Sequence, residues 1–296
     1  MSWISIIILA YFLFAITALL DKYILIGPIN PKSYVFYIGI LGLLVLFLIP
    51  FVNFYIPGIY IILLCFLAGA FSIFAIYALY EGLERFEATR VVPAIGGILP
   101  LFTFALVYFF SGGREVLNSL EFIAFLLLLL GSVLITIEFG KRVSFQSLKI
   151  SAAAAFLFSL FFILAKYVYL LEPFWNGFIW IKIGGVLTAF LFIFTKDVRT
   201  EIFSKKLIFD KKIGILFLLN QTIGAIAFIL QNWAIALAGL AYLSIINAFQ
   251  GIQYVFLFIF MIILPRVFEE KISSKIIIQK VLAIFFIGAG LLILSL

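Results

Sequence analysis

Histidine is missing from this chain of 296 residues, and cysteine occurs once, at Cys65. The absence of histidine removes the side chain that most often binds metals and transfers protons near neutral pH, which argues against zinc chemistry and histidine-dependent triads. A lone cysteine cannot form a disulfide within the chain. We therefore expect no catalytic residue, no bound metal and no cofactor, and we expect that the protein is not an enzyme.

Charged residues are also scarce, at 11% of the chain, while hydrophobic residues make up 67%. A soluble domain has about 25% charged and roughly 45–50% apolar residues. A domain of this length has too little interior to hide the apolar excess, which therefore indicates contact with the lipid bilayer. The net charge of +7 does not require a nucleic-acid partner, because most basic residues lie in short segments between apolar stretches, where they orient membrane proteins.

The apolar residues form long stretches separated by charged or Gly/Pro-containing segments. A helix that crosses a bilayer core of about 30 Å needs roughly 20 such residues. Strands are not expected, since no segment alternates with the period of two that an outer-membrane barrel requires. Ten stretches have a suitable length: 3–25, 33–52, 58–82, 88–110, 119–138, 150–171, 176–195, 213–237, 241–264 and 277–296. The predicted fold is an all-α integral membrane protein with ten transmembrane helices.

The first and sixth stretches are similar in sequence. With Ala10 set against Ala154, residues 10–23 and 154–167 align without gaps and share six further identities, including a closing Lys-Tyr pair. Since each copy contains five helices, an odd number, the second copy enters the membrane from the opposite side, as in the inverted repeats of secondary transporters. We place the first five-helix repeat at 1–140 and the second at 150–296.

The basic residues are concentrated on one predicted side of the membrane. Counted with the adjoining ends of the stretches, the segments that follow stretches 1, 3, 5, 7 and 9 carry 17 of the 20 Lys and Arg residues, whereas the other connections carry only Arg114. By the positive-inside rule, these odd-numbered loops are cytoplasmic and both termini lie outside. The sequence therefore predicts a multi-pass protein of the cell membrane.

Residues 77–110 contain a short turn and then a proline-containing helix with the segment Pro100-Leu101-Phe102-Thr103. This passage resembles the third and fourth helices of EamA-type members of the drug/metabolite transporter superfamily, and residues 232–258 resemble its second-half counterpart. The ten-helix, two-repeat organisation covers essentially the whole chain. The resemblance implies a gradient-coupled exporter or exchanger of small metabolites with a central cavity between the repeats. Members of the family commonly have cytoplasmic termini, opposite to the charge distribution of this chain.

Polar side chains inside the predicted spans are candidate substrate contacts, because charges and unpaired amides are costly in hydrocarbon. Lys166 and Lys182 lie within spans on the side that is poor in basic residues, with Glu172 as a candidate salt-bridge partner. Asn220 and Gln231 are eleven residues apart, about three helical turns, and therefore share a face of the eighth span.

The ninth span adds Asn247, Gln250 and Tyr254, whose i, i+3, i+7 spacing places them on one helix face. Trp233 is a candidate aromatic wall. The structural alternative for the amides is hydrogen bonding between helices, worth about 0.6 kcal/mol per contact. The predicted substrate-binding residues are Gln250, Asn247, Lys182, Gln231, Asn220, Trp233, Tyr254 and Lys166.

Pro93, Gly96 and Gly251 are candidate hinge positions in the fourth and ninth spans, with close helix packing as the alternative. The predicted function is a secondary transporter whose partners are a small-molecule substrate and the lipid bilayer, without nucleic acid; a homodimer is left open. One alternative is a flippase or accessory subunit for lipid-linked sugars. The other is a membrane-embedded enzyme, which would need clustered carboxylates or histidines that the sequence lacks.

Overall fold

A computed structural model describes residues 2–24, 31–86, 88–136, 145–203, 211–263 and 274–295. Within these ranges the chain is helical and contains no β-strand, which confirms the predicted all-α class. Many basic residues of the odd-numbered loops lie outside the described residues, as do the side chains of Lys22 and Tyr23 in the predicted repeat.

The helices follow the predicted stretches closely, as at 88–110, where both limits agree. In chain order they are α1 Ser2–Ile24, α2 Pro31–Leu41, α3 Ile59–Arg85, α4 Ala88–Phe110, α5 Ser119–Thr136, α6 Phe145–Leu171, α7 Phe174–Phe190, α8 Lys196–Phe203, α9 Lys211–Leu237, α10 Leu243–Ala248, α11 Gln250–Ile263 and α12 Ser274–Ser295. Segments of 3-10 helix extend α2 through Gly42–Phe51 and α7 through Leu191–Phe194, and a third, Leu240–Tyr242, precedes α10.

Seven helices of the described chain are long and apolar enough to cross a membrane when each 3-10 extension is counted with its α-helix. Three shorter apolar helical runs occupy the positions predicted for the fourth, fifth and tenth spans: Ala94–Phe110, Ser119–Ile135 and Ile278–Leu294. The protein is therefore an all-α, multi-pass membrane protein. The count of ten spans and their inverted arrangement stay predictions.

Large apolar side chains cover the outside of the bundle. Phe47, Phe51, Phe109 and Phe194 are each about three-quarters or more exposed. Rings exposed over several helices form an apolar surface far larger than a soluble monomer tolerates, and lipid chains are its natural solvent.

The interior is built by a small number of extensive helix pairs. Helix α3 packs along α6, α1 along α9, α4 along α6, and α5 along α12. Small residues allow the closest approaches, as they generally do between membrane helices. At the α3–α7 contact, a β-carbon on Gly69 would overlap the backbone of Ile181, Gly184 and Gly185, so the two backbones touch directly.

We expect Gly69→Ala to destabilise the bundle, because its methyl group has only backbone atoms to displace. Overpacking of this kind costs about 1–3 kcal/mol, which exceeds the gain of about 1 kcal/mol from replacing a mid-helix glycine by alanine. The melting temperature of the purified protein in detergent measures the effect. Gly288→Ala on α12 is the control, since no described atom lies within 4 Å of its added β-carbon. An unchanged melting temperature for Gly69→Ala would contradict this packing.

Candidate functional site

A polar cluster lies where α1, α9 and α11 meet in the middle of the bundle. Tyr11 is 3% exposed and its hydroxyl donates a hydrogen bond to the carbonyl oxygen of Ile246 at 3.1 Å. The buried side chain of Gln231 reaches the same hydroxyl. On α11, Gln250 Nε2 donates to the Tyr254 hydroxyl at 3.3 Å, and the Tyr254 ring is close enough to interact electrostatically with Tyr11.

One polar atom of this cluster has no hydrogen-bond partner among the described residues. Gln250 Oε1 is buried and accepts no hydrogen bond within the described part of the chain. Gly96 of α4 faces it, and a β-carbon at Gly96 would lie 3.6 Å from both Gln250 Oε1 and the Tyr254 hydroxyl. Buried amide oxygens are nearly always paired, so an acceptor facing a bare stretch of helix marks a place for a polar ligand or water.

Asn247 belongs to a different contact from the one its spacing predicts. Its amide donates to Thr103 Oγ1 on α4 at 2.8 Å, and Thr103 lies 3.1 Å from Ser159 Oγ on α6. Phe249, between α10 and α11, keeps right-handed helical backbone angles, and its amide donates to the Ile245 carbonyl oxygen at 3.0 Å, so α10 runs on into α11. On this continuous run, Asn247 meets α4 while Gln250 meets Tyr254. The chain of contacts from Asn247 to Ser159 is hydrogen bonding that joins three helices.

Two further predicted residues of α9 lie outside the cluster. Asn220 is buried but sits eleven residues before Gln231, roughly 16 Å along the helix at 1.5 Å per residue. Trp233 packs against Phe174 and Trp175 at the start of α7, with ring centroids 4.9 and 5.7 Å away. These rings form an aromatic group at one end of the bundle.

Lys166 caps the C-terminal end of α9. It is 2% exposed, and its ammonium group donates to the carbonyl oxygen of Ala236 at 2.9 Å. Ala236 is in the last turn of α9, where carbonyl groups lack helical partners and the helix dipole attracts a positive charge. This contact explains the lysine without a substrate, and its predicted role in the pathway stays untested.

Lys182 has a different environment. Its ammonium nitrogen lies 3.7 Å from the centre of the Phe228 ring and 5.7 Å from that of Phe178. Glu172, the candidate partner of both lysines, pairs with neither. Its Oε2 accepts hydrogen bonds from the Tyr55 hydroxyl and from Asn176 Nδ2 instead.

We call the side that carries the connections 52–58, 111–118, 172–173 and 238–239 the low-charge side. There the connection 52–58 is fastened to α7 through Tyr55. The Tyr55 amide donates to Asn176 Oδ1 at 3.2 Å, and its carbonyl accepts from Trp180 Nε1 at 3.0 Å. The Phe54 ring stacks on Trp180 at 5.7 Å. The hydrogen bond to the Glu172 carboxylate raises the pKa of the Tyr55 hydroxyl, so the hydroxyl stays protonated as a donor at neutral pH.

A second set of contacts on the same side joins α5 to the 3-10 segment that precedes α10. The Tyr242 hydroxyl donates to a carboxylate oxygen of Glu121 near the start of α5. The Trp3 ring packs against Tyr242, with centroids 5.6 Å apart. Through these contacts, the first residues of α1 and the connection before α10 are held together.

Among the predicted hinge residues, Gly251 lies at a close contact between helices. A β-carbon at Gly251 would lie 3.0 Å from both Cα and Cβ of Ser132, so this glycine admits α5. Helix α4 continues without interruption through Pro93, whose side chain lies outside the described residues. A hinge role for either residue, or for Gly96, stays a prediction.

Sequence reasoning missed Tyr11, Thr103 and Tyr55. The signal for Tyr11 was present, since a tyrosine inside an apolar span must find a partner for its hydroxyl. Tyr55 gave no comparable signal, because tyrosine is common at membrane interfaces without any specific contact. Within the described residues, no group of three or more Cys, Asp or Glu side chains is placed to bind a metal.

We expect Tyr55→Phe to loosen the low-charge side, because it removes the hydroxyl donor from the buried Glu172 carboxylate and leaves the ring in place. The melting temperature in detergent should fall by a few degrees. Tyr60→Phe, at an exposed tyrosine early in α3, is the matched control and should leave it unchanged. Equal melting temperatures for the two variants would mean that the Tyr55–Glu172 contact does not stabilise the fold.

Comparison with known family models and with curated proteins finds no match for this chain. Among solved structures, one named only "Crystal structure of protein" is similar, with a TM-score of 0.66 over 98% of both chains and 15% sequence identity. At that identity, the similarity concerns the fold alone. The chain thus adopts a fold that exists among solved structures.

Proposed function

We propose that this protein is a secondary transporter, an exporter or exchanger, that moves small metabolites through a central cavity between two inverted repeats. The observation that carries the proposal is the cluster of Tyr11, Gln231, Gln250 and Tyr254 inside an apolar bundle. Its residues come from both halves of the chain. Transporters of inverted-repeat design place substrate sites near the membrane midplane, at the interface between repeats.

The inverted repeat is supported by matching contacts between α5 and α12. A β-carbon at Gly131 would meet the Ala283 carbonyl oxygen at 2.9 Å and Ile287 Cγ1 at 2.6 Å. A β-carbon at Gly290 would meet the Ala124 carbonyl oxygen at 3.0 Å and Leu128 Cγ at 2.9 Å. Gly290, Ala283 and Ile287 each lie 159 residues after Gly131, Ala124 and Leu128. Exchanging the two helices therefore reproduces the contact, as a two-fold axis between antiparallel helices requires.

Other helix pairs follow the same exchange. In the ten-span, EamA-like arrangement, α1, α3 and α4 of the first repeat correspond to α6, α9 and α11 of the second. The pair α1–α9 then corresponds to α6–α3, and α1–α11 corresponds to α6–α4; all four pairs pack against each other. The second helix of each repeat also ends in 3-10 helix, after α2 and after α7.

The contact between α3 and α7 has no equivalent between their counterparts α9 and α2 among the described residues, and a transporter that alternates between two states is expected to show such a difference. Helix α3 packs along α7, but its counterpart α9 does not pack along α2 within the described residues. The contact described between α9 and α2 is a long one, from Gln221 Nε2 to the Tyr34 hydroxyl at 3.5 Å. Together with the contacts of Tyr55 and Tyr242, this difference favours a state closed on the low-charge side. If α9 packed along α2 and α3 separated from α7, the low-charge side would open.

The orientation follows from the basic loops, which we propose are cytoplasmic. In a Cys65→Ser background, a membrane-impermeant maleimide applied to intact cells should label Arg114→Cys and not Lys196→Cys. Arg114 is exposed between α4 and α5 on the low-charge side, whereas Lys196 begins α8. Labelling of Lys196→Cys alone would reverse the orientation, and labelling of both before permeabilisation would reject the proposed topology.

The substrate site is tested with Gly96→Leu. A β-carbon at Gly96 already contacts Gln250 Oε1 and the Tyr254 hydroxyl at 3.6 Å, so the rest of a leucine side chain must push these groups aside. We therefore expect the variant, where it is purified as a monodisperse protein, to lose ligand binding. The thermal stability of the purified protein is measured against amino acids, nucleosides, sugars, organic anions and cationic drugs. A ligand that stabilises the unchanged protein should not stabilise Gly96→Leu, while Gly288→Leu on α12 should retain the effect.

Two outcomes would redirect this proposal. Equal stabilisation of Gly96→Leu would place the binding site away from Gln250. Stabilisation by lipid-linked sugars, with no response to any soluble compound, would favour a flippase or an accessory subunit for such lipids.

A further inference from the structure

Lys182 lies deep in an apolar helix. It is eight residues from the start of α7, about 12 Å along the axis at 1.5 Å per residue, and its side chain is half-buried. Its ammonium group lies over the face of Phe228, at 3.7 Å from the ring centre, with Phe178 at 5.7 Å. The negative face of an aromatic ring stabilises a cation, most strongly where water is excluded.

Two other lysines among the described residues, the buried Lys166 and the more exposed Lys32, have polar partners of their own. Lys166 donates to the Ala236 carbonyl oxygen, and Lys32 pairs with Asp197 at 2.6 Å. Among the described residues, Lys182 has neither a hydrogen-bond acceptor nor a carboxylate partner, and its ammonium group contacts the faces of the two rings. An ammonium group has three donors, and a ring face occupies only one direction, so donors remain for an anion.

The surroundings of the lysine restrict what that anion can be. The ring of Phe228 stacks with Phe161 at 5.9 Å and contacts Phe178 at 6.1 Å, which gives the ligand apolar walls. Gln231 is three residues beyond Phe228 on α9, so the ring that contacts the Lys182 ammonium group and the amide of the central cluster are neighbours on that helix. A single positive charge with no nearby acid balances one negative charge and no more.

We propose that Lys182 and Phe228 form the subsite for the carboxylate of an amphipathic monoanion, whose apolar or aromatic body lies against the phenylalanine rings. The carboxylate accepts hydrogen bonds from the Lys182 ammonium group, which keeps its ring contact on the opposite side. The subsite deepens the transporter proposal and rests on it. A neutral analogue loses the charge-assisted hydrogen bond, and a cationic one is repelled by the lysine.

Three probes with the same ring system and different charge test the subsite: indole-3-acetate, indole-3-acetamide and tryptamine. Binding is followed by thermal shift and by titration calorimetry, on protein in lipid-free detergent so that phospholipid headgroups do not compete. We expect the carboxylate to bind about tenfold or more tightly than the amide, and tryptamine not to bind. Equal affinity for the carboxylate and the amide, or no binding of the carboxylate, would overturn the proposal.

The variants separate charge from folding. Lys182→Gln should abolish the preference for the carboxylate over the amide, and Lys182→Arg should retain it. Phe228→Leu should weaken carboxylate binding. Lys149→Gln, at an exposed lysine whose ammonium group also lies over a phenylalanine ring, is the matched control and should leave the preference unchanged. Persistence of the preference in a monodisperse Lys182→Gln protein would also overturn the subsite.

Uptake into proteoliposomes distinguishes the two proposals. Carboxylate binding that depends on Lys182, without uptake of the bound probe, would retain the subsite and reject the transporter. Uptake of neutral compounds that is insensitive to Lys182→Gln would retain the transporter and reject the subsite.

Discussion

Polar groups inside hydrocarbon have no water to hydrate them, so they must find partners within the protein or in a ligand. Helices satisfy the backbone of this chain, which leaves side chains and helix ends to be paired across the bundle. Lys166 completes the end of α9, and Asn247, Thr103 and Ser159 link α10, α4 and α6. Each of these contacts joins segments distant in sequence, so pairing the polar groups also sets which helices are neighbours.

The same requirement separates structural polar residues from candidate ligand contacts. The amide of Asn247 donates to Thr103, whereas Gln250 Oε1 is buried without a donor among the described residues and faces the bare backbone of Gly96. The buried Lys166 and the half-buried Lys182 differ in the same way, since Lys166 has a carbonyl oxygen and Lys182 has only ring faces among the described residues. Gln250 Oε1 and the Lys182 ammonium group are therefore the acceptor and the cation that the proposed ligand would meet.

A few contacts at helix ends hold the low-charge side together. Tyr55 uses its amide, its carbonyl and its hydroxyl at once, against Asn176, Trp180 and Glu172. Asn176 and Glu172 are buried, but Tyr55 is exposed on a connection, so its contacts can be broken without unpacking the helices. The buried helix pairs, by contrast, depend on glycines that allow backbone contact, and these pairs are expected to move as units.

Much of the fold could be predicted from the sequence. The limits predicted for the fourth span are those of α4, and the other stretches agree with helices to within several residues, because the length of an apolar run is set by the thickness of the bilayer. Of the four residues in the central cluster, the sequence predicts Gln231, Gln250 and Tyr254 as polar contacts and misses Tyr11. Gln250 and Tyr254 lie together as their spacing indicates, since both belong to α11. Asn247 does not join them, because its amide donates to Thr103 on α4, and Glu172 pairs with Tyr55 in place of a lysine.

The sequence by itself determined that the chain is helical, that it lies in a membrane and which residues are too polar to face lipid. These properties depend on composition and on periodicity along one segment at a time. The tertiary structure decided which polar residues are satisfied and which are not, because that depends on partners more than 100 residues away, such as Thr103 for Asn247 and Tyr55 for Glu172. Helical spacing gives the face on which a side chain lies, and only the packing of the helices gives the group that it meets.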